Sequence, residues 1–279
     1  MKINIEKLVS EISGLVSLPD IYMKIRSLID DPSSDLDDFA PVVTVDPALT
    51  ASVLRIVNSA FFGFPGKIDN LNRALNLIGI GQLHDLVLSL SAVEALELPN
   101  EIEPLKVFWK RSIFSGSLAK LLAKNCKLAD AESLFVIGLL HEIGHLVLFT
   151  KYAEQCKSAV IQAQDEDLPL VDAERAIFGT DYAKIGQALM SAWNLPHKFH
   201  CVTGGHCEPN KALEYVQDTM IVHIAHKAAV NRYPGADSYQ YEFEQEELDA
   251  IKINEDDLNL LCQEAHDISL EMEKVILGD

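Results

Sequence analysis

Positive charge is scarce: Lys and Arg number 23 against 42 Asp and Glu, for a formal net charge of −19. Binding to a phosphate backbone needs clustered cations that displace counterions, so nucleic acid is not expected as a ligand. No run of 18 or more apolar residues occurs, and Met1 to Lys7 lacks the apolar core of a secretory leader, so neither a membrane span nor a signal peptide is expected and the cytoplasm is the expected location. Cysteines are few. The five, Cys126, Cys156, Cys201, Cys207 and Cys262, are scattered without a Cys-x-x-Cys pair, which suits reduced thiols better than a disulfide framework or a zinc ribbon. There is also no Walker A loop, no dinucleotide glycine fingerprint and no Gly-x-Ser-x-Gly elbow, so ATP hydrolysis, cofactor-dependent redox chemistry and serine-based hydrolysis drop out.

What the chain has is apolar side chains, 48% of 279 residues, enough for a full core. They recur at three- and four-residue intervals without long alternating runs, so the expected fold is all-α. Asp46-Pro47 sets an N-cap before a first-turn proline, opening a helix through Leu49, Val53, Leu54 and Val57. Asp130, Asn210 and Asn254 mark three further helix starts, and Pro234-Gly235 ends the helix expected from Asn210 to Arg232. Turn-rich joints lie at residues 30–34, at 63–66, at Leu98-Pro99-Asn100 and at Leu195-Pro196. The expected organisation is two packed helical bundles, residues 1–98 and 99–232, then a polar, acidic linker over 233–247 and a terminal helical segment to 279.

His141 and Glu142 stand in the middle of an apolar stretch, Leu134 to Phe149, where His145 is the only other ionisable side chain. A buried carboxylate must be matched by a metal, a counter-charge or hydrogen bonds, because leaving it unpaired costs several kcal/mol or more. The match of His141-Glu142-Ile143-Gly144-His145 to H-E-x-x-H offers one answer. On a continuous helix the two histidines share a face and could grip zinc, with Glu166 or Asp165 as third ligand. Five residues are a short match, and Gly144 weakens the helix that it needs.

A broader pattern runs through Leu18-Pro19, Asp46-Pro47-Ala48-Leu49-Thr50, Leu54-Arg55-Ile56-Val57-Asn58-Ser59-Ala60, Gly66-Lys67-Ile68 and Ala74-Leu75-Asn76-Leu77-Ile78-Gly79. It continues through Phe108-Trp109-Lys110-Arg111-Ser112, Gly138-Leu139-Leu140-His141-Glu142-Ile143-Gly144, Trp193-Asn194-Leu195-Pro196 and Gly205-His206-Cys207-Glu208-Pro209. In order and spacing, over about residues 12 to 230, this resembles the HD-related output domain (HDOD). The resemblance implies an all-helical fold similar to HD-type metal phosphohydrolases, often short of their full ligand set, and a role in bacterial signalling.

HD enzymes hold metal with an early histidine, a His-Asp doublet and a later aspartate. By the resemblance, Arg111 stands where the early histidine belongs, Glu142 where the doublet's aspartate belongs and His226 where the later aspartate belongs, leaving only His141 unchanged. Guanidinium stays protonated and offers only donors, so Arg111 cannot bind metal. Its fork could instead dock on Glu142 in two-pronged fashion and replace the cation. His206 and Cys207 could join His141, Glu142 and His226 in one residual site for zinc, manganese or iron. No cofactor is otherwise expected.

Bland readings compete. His223 and His226 suit interior hydrogen-bonded roles, and His197 and His200 a surface loop or first turn. Phe61, Phe62, Phe64 and Pro65 either seal the bundle or contact a partner, and Asn58 suits a helix-end amide bonding backbone across the bundles. The expected function is a non-catalytic signalling scaffold that engages an unidentified signalling protein, its input arriving from a separate polypeptide. The alternative is a metal-dependent phosphohydrolase with an altered ligand set. The sequence leaves the oligomeric state open.

Overall fold

The computed structural model describes residues 2–13, 20–95 and 102–277. The Leu18-Pro19 pair and the Leu98-Pro99-Asn100 joint lie outside the described residues. The described residues contain no strand and form, in chain order, α1 (Ile5–Ser13), α2 (Asp20–Asp30), α3 (Leu36–Thr44), α4 (Pro47–Val57), α5 (Leu71–Ala95), α6 (Leu105–Asn125), α7 (Ala131–Leu140) and α8 (Ile143–Lys151). Then come α9 (Ala153–Glu166), α10 (Leu170–Phe178), α11 (Tyr182–Ala192), α12 (His197–Gly205), a 3-10 turn at Pro209–Lys211, α13 (Val216–Arg232), α14 (Gln245–Ala250) and α15 (Glu255–Ile276).

The chain divides into two helical units, but not at the expected boundaries. Residues 1–16 join 97–266 in one unit, and 267–279 join 17–96 in the other. The N-terminal segment is tied to its unit by Ile3 N donating to Phe178 O at 3.0 Å, a pairing that sequence adjacency does not suggest.

The unit holding α2 to α5 is built as the capping residues direct. Asp46 accepts hydrogen bonds from Ala48 N at 2.8 Å and Leu49 N at 3.0 Å, and Pro47 occupies the first turn, where its missing N–H costs nothing. Val53, Ile56 and Val57 then fall on one buried stripe. The helix α5 is interrupted at Gly79, whose φ of 81° and ψ of 168° suit only glycine. Asn58 ends α4 as expected, yet it works inside this unit and not across the two. Its amide donates to Leu54 O and Ile68 O, and Ile68 N donates back to Oδ1, each at 2.7 Å. Phe61 is buried, while Phe62 and Phe64 stack on each other at 5.7 Å and are half-buried.

The other unit carries the site. Its axis is α6, buried along Phe108, Ile113, Phe114, Leu118 and Leu122, each worth about 1.5–3 kcal/mol in apolar area removed from water. It crosses α7 at two glycines. A Cβ on Gly138 would fall 2.8 Å from Gly116 Cα, and one on Gly116 would fall 2.6 Å from Phe135 O, so only glycine permits this approach. The stretch Ala131–Lys151 is long and apolar enough to cross a membrane by composition, but 94% of its most apolar window is buried inside the protein, as a core helix would be.

Three local expectations need correction. The apolar stretch is not one helix: α7 ends at Leu140, His141 and Glu142 form a turn, and α8 begins at Ile143. The helix expected from Asn210 starts at Val216, because Pro209–Lys211 forms a 3-10 turn and Tyr215 takes a left-handed conformation at φ 51°. Residues 233–247 are not a solvated linker. Ala236 and Asp237 are buried, and the Asn231 amide holds the Tyr241 backbone through two 2.8 Å hydrogen bonds. The expected starts at Asp130 and Asn254 are present, capping α7 and α15.

Candidate functional site

The turn between α7 and α8 delivers His141 and Glu142 into the packed interior, both 0% exposed. From α6, Arg111 meets Glu142 through Nε, which donates to Oε2 at 2.8 Å. The two-pronged contact goes elsewhere. Nη1 and Nη2 donate to Oε1 and Oε2 of Glu103 at 2.5 Å and 3.0 Å, a partner that no sequence pattern singles out. Glu103 also accepts from Ala236 N at 3.2 Å, and a methyl group on Gly235 would overlap its Oε1. Arg111, Glu103 and Glu142 thus form a buried triad. Burial opposes the guanidinium's charge, but Glu142 and Glu103 together outweigh it and push the Arg111 pKa well up.

Three histidines gather beside the triad, each offering a ring nitrogen within 4.8 Å of the others: His141, His206 at the end of α12, and His226 on α13. His141 Nδ1 donates to Gly138 O at 2.6 Å and His206 Nδ1 to Thr203 O at 2.7 Å. Those bonds fix both tautomers and leave each Nε2 with a lone pair. His226 Nδ1 donates to His141 Nε2 at 3.0 Å, and Tyr182 Oη donates to His206 Nε2 at 2.8 Å. Burial pushes His141 and His206 down to about 3, and pushes His226 well below its usual value, so all three are neutral near pH 7.

The remaining expected residues separate. Cys207 is not one of the three converging donors. Its Sγ lies 3.4 Å from Tyr182 Oη and 3.5 Å from His206 Nε2, and burial raises its pKa, which keeps it a thiol. His145 does not share a ligand face with His141, because the turn at 141–142 breaks the helical register. It stacks on Tyr182 at 3.9 Å, with its Nδ1 3.1 Å from Glu174 Oε1. Burial works against its charge, yet Glu174 holds its pKa above the usual value. Glu166 and Asp165 are exposed on α9. The zinc-protease arrangement is therefore not assembled. His223 is hydrogen-bonded as expected, to His206 O at 2.7 Å and Glu247 Oε1 at 3.0 Å. His197 and His200 lie in the first turn of α12.

The three imidazoles converge next to a carboxylate oxygen that lacks a partner among the described residues. Glu142 Oε1 is buried with no hydrogen-bond partner among the described residues, its nearest donor being His226 Nδ1 at 3.6 Å. The three imidazoles alone converge as nitrogen donors of the kind zinc, manganese or iron accepts, and Glu142 stands beside them as a neighbouring charge. Over this pocket lies the segment 235–241. The Tyr241 ring packs edge-on against His226 at 5.7 Å, and its hydroxyl donates to Asp237 Oδ2 at 3.0 Å.

A family model described as HDOD domain matches residues 15–209. Among solved structures, the chain is similar to an HDOD domain protein from Geobacter sulfurreducens, with a TM-score of 0.75, 21% identity and 97% of each chain covered. A candidate phosphohydrolase from Shewanella amazonensis SB2B gives 0.75 and 22%, covering 96% of this chain and 97% of that one. A candidate signal transduction protein from Marinobacter aquaeolei VT8 gives 0.72 and 19%, covering 99% of this chain and 62% of the other. By sequence, an uncharacterized protein of Treponema pallidum (strain Nichols) is 29% identical over 190 residues, 66% of this chain, and the match spans 36% of that protein's length.

Proposed function

Because the chain belongs to the HDOD domain family, we propose that it is a bacterial signalling module that acts in the cytoplasm by engaging another signalling protein and not by hydrolysing a phosphoester. One observation carries this reading: Arg111, 1% exposed, is held by three charge-assisted hydrogen bonds where related hydrolases place a metal-binding histidine. Two-metal hydrolysis needs ions that clamp both the attacking and the leaving oxygen. A fixed guanidinium that is already saturated by two carboxylates supplies neither a coordination position nor a bound water. The burial of His141, Glu142 and His206 beneath the segment 235–241 also denies a phosphoester access to them.

A single resident cation is the second reading, favoured by the unpartnered Glu142 Oε1 and the three converging imidazoles. His141, His206 and His226 would hold it, with Glu142 beside them to balance its charge, and its role there would be to bind these helices together. When bound in an open site, such an ion supplies Lewis-acid activation of water.

The test is turnover of a generic phosphoester by the purified chain with added manganese. No rate above the buffer blank is expected, from the chain or from His141→Ala. A clear rate in the chain that His141→Ala abolishes would return the site to the phosphohydrolases.

A further inference from the structure

Away from this pocket, at the start of α12, three metal-ligating side chains converge on the surface. His197 and Cys201 are four residues apart on one helix face, and Glu214 comes from the loop before α13. His197 Nε2 lies 2.7 Å from Glu214 Oε2, Cys201 Sγ lies 3.3 Å from His197 Nε2, and Sγ lies 3.8 Å from Oε2. A tetrahedral zinc with ordinary bond lengths sets its nitrogen and oxygen ligands about 3.3 Å apart and its sulfur about 3.5 Å from either. The two sulfur edges match a zinc tetrahedron to within about 0.3 Å, and the His197–Glu214 edge must lengthen by about 0.6 Å to complete the face.

We infer that His197, Cys201 and Glu214 form a zinc site distinct from the buried histidine cluster, with its remaining coordination position open to solvent. The donor types select the ion. A thiolate and an imidazole with a single carboxylate favour zinc over magnesium or calcium, which take oxygen ligands. The site is accessible, since the His197 and Glu214 side chains are 65% and 60% exposed. It is also positioned from both sides: the first turn of α12 fixes His197 and Cys201, and the left-handed Tyr215, at φ 51°, sets the direction of the chain leaving Glu214. A bound ion would staple the start of α12 to the start of α13. Those two helices end on His206 and carry His226, so this surface site is built on the same pair of elements as the inner cluster.

The inference is tested with the full chain, stripped by a chelator and titrated with cobalt and then zinc. Cobalt bound to a cysteine gives a thiolate-to-metal charge-transfer band that imidazole and carboxylate ligands do not. The band is expected in the chain and in Cys207→Ser, and absent in Cys201→Ser. Glu214→Gln should weaken zinc binding about ten-fold or more. All three positions are at least partly exposed, and circular dichroism checks that each variant is folded. Cobalt binding without the band, a band that survives Cys201→Ser, or a band lost in Cys207→Ser would each overturn the assignment.

Discussion

Replacing Arg111 with methionine removes the guanidinium but keeps an apolar stem near the Phe108 ring, over which the Arg111 Cζ stands at 5.9 Å. The change leaves Glu103 and Glu142 buried without their cation, their side chains each 0% exposed. Breaking one buried pair costs about 3–5 kcal/mol, because the surviving charge is uncompensated. Two carboxylates are orphaned here, so the upper end, about 5 kcal/mol, is expected for Arg111→Met. Urea unfolding reads this as a fall in midpoint at constant slope. The second-step variants then separate the partners. Adding Glu142→Leu should recover only about half of the loss, since Glu103, which held the two-pronged contact with Arg111, is still left unpaired. Adding Glu103→Leu as well should return the stability to within about 1–2 kcal/mol of the original chain. An Arg111→Met midpoint within about 0.5 kcal/mol of the original, or full recovery from Glu142→Leu alone, would refute the reasoning.

Two further outcomes are expected from the same pocket. His141 and His206 are pushed down to about 3 by burial, so between about pH 6.5 and 3 the unfolded chain binds more protons than the folded one. Stability should therefore fall as the pH drops through that window, by about 1.4 kcal/mol per pH unit for each histidine, and His141→Gln should flatten the acid limb of a stability–pH curve. Zinc at one hundred times its dissociation constant should stabilise Cys201→Ser, which lacks the surface thiol, by about 2.7 kcal/mol, and the absence of a thermal shift in that variant would count against an inner cation.

Much of this was legible in the sequence, and the failures have physical causes. Caps such as Asp46-Pro47 and Asn254 are local, so their chemistry reads directly from neighbouring residues. The Arg111–Glu142 contact was also accessible, because a carboxylate in an apolar stretch demands a partner. Glu103 was not, since a glutamate just before Pro104 and a helix reads as an ordinary first-turn acid. The break at His141–Glu142 escapes a periodicity argument for a different reason. His141, with φ −62° and ψ −27°, is still helical, so the break rests on Glu142 alone, with φ −92° and ψ 7°, and apolar residues continue on both sides. The segment 233–247 was misread from its acidity, although Tyr233, Tyr239, Tyr241 and Ala236 were an available sign that part of it is buried. The place of residues 1–16 depends on distant partners such as Phe178, which no local pattern encodes.

Charge bookkeeping supports the proposed reading, in which the arginine is compatible with one metal ion and not with two. The buried triad carries two carboxylates and one guanidinium, a net charge of minus one, and the three neutral histidines add nothing. Arg111 also helps to keep His141 and His226 neutral, because its charge disfavours a second cation on either ring. The oxygen of Glu142 that it leaves unsatisfied lies 3.6 Å from His226 Nδ1, at the edge of the imidazole cluster. One divalent ion there changes the net charge from minus one to plus one, while a second would add two more positive charges beside a guanidinium that cannot lose its proton. On the proposed reading, the guanidinium at position 111 thus opposes two-metal chemistry on electrostatic grounds and leaves a pocket in which one ion would serve the fold.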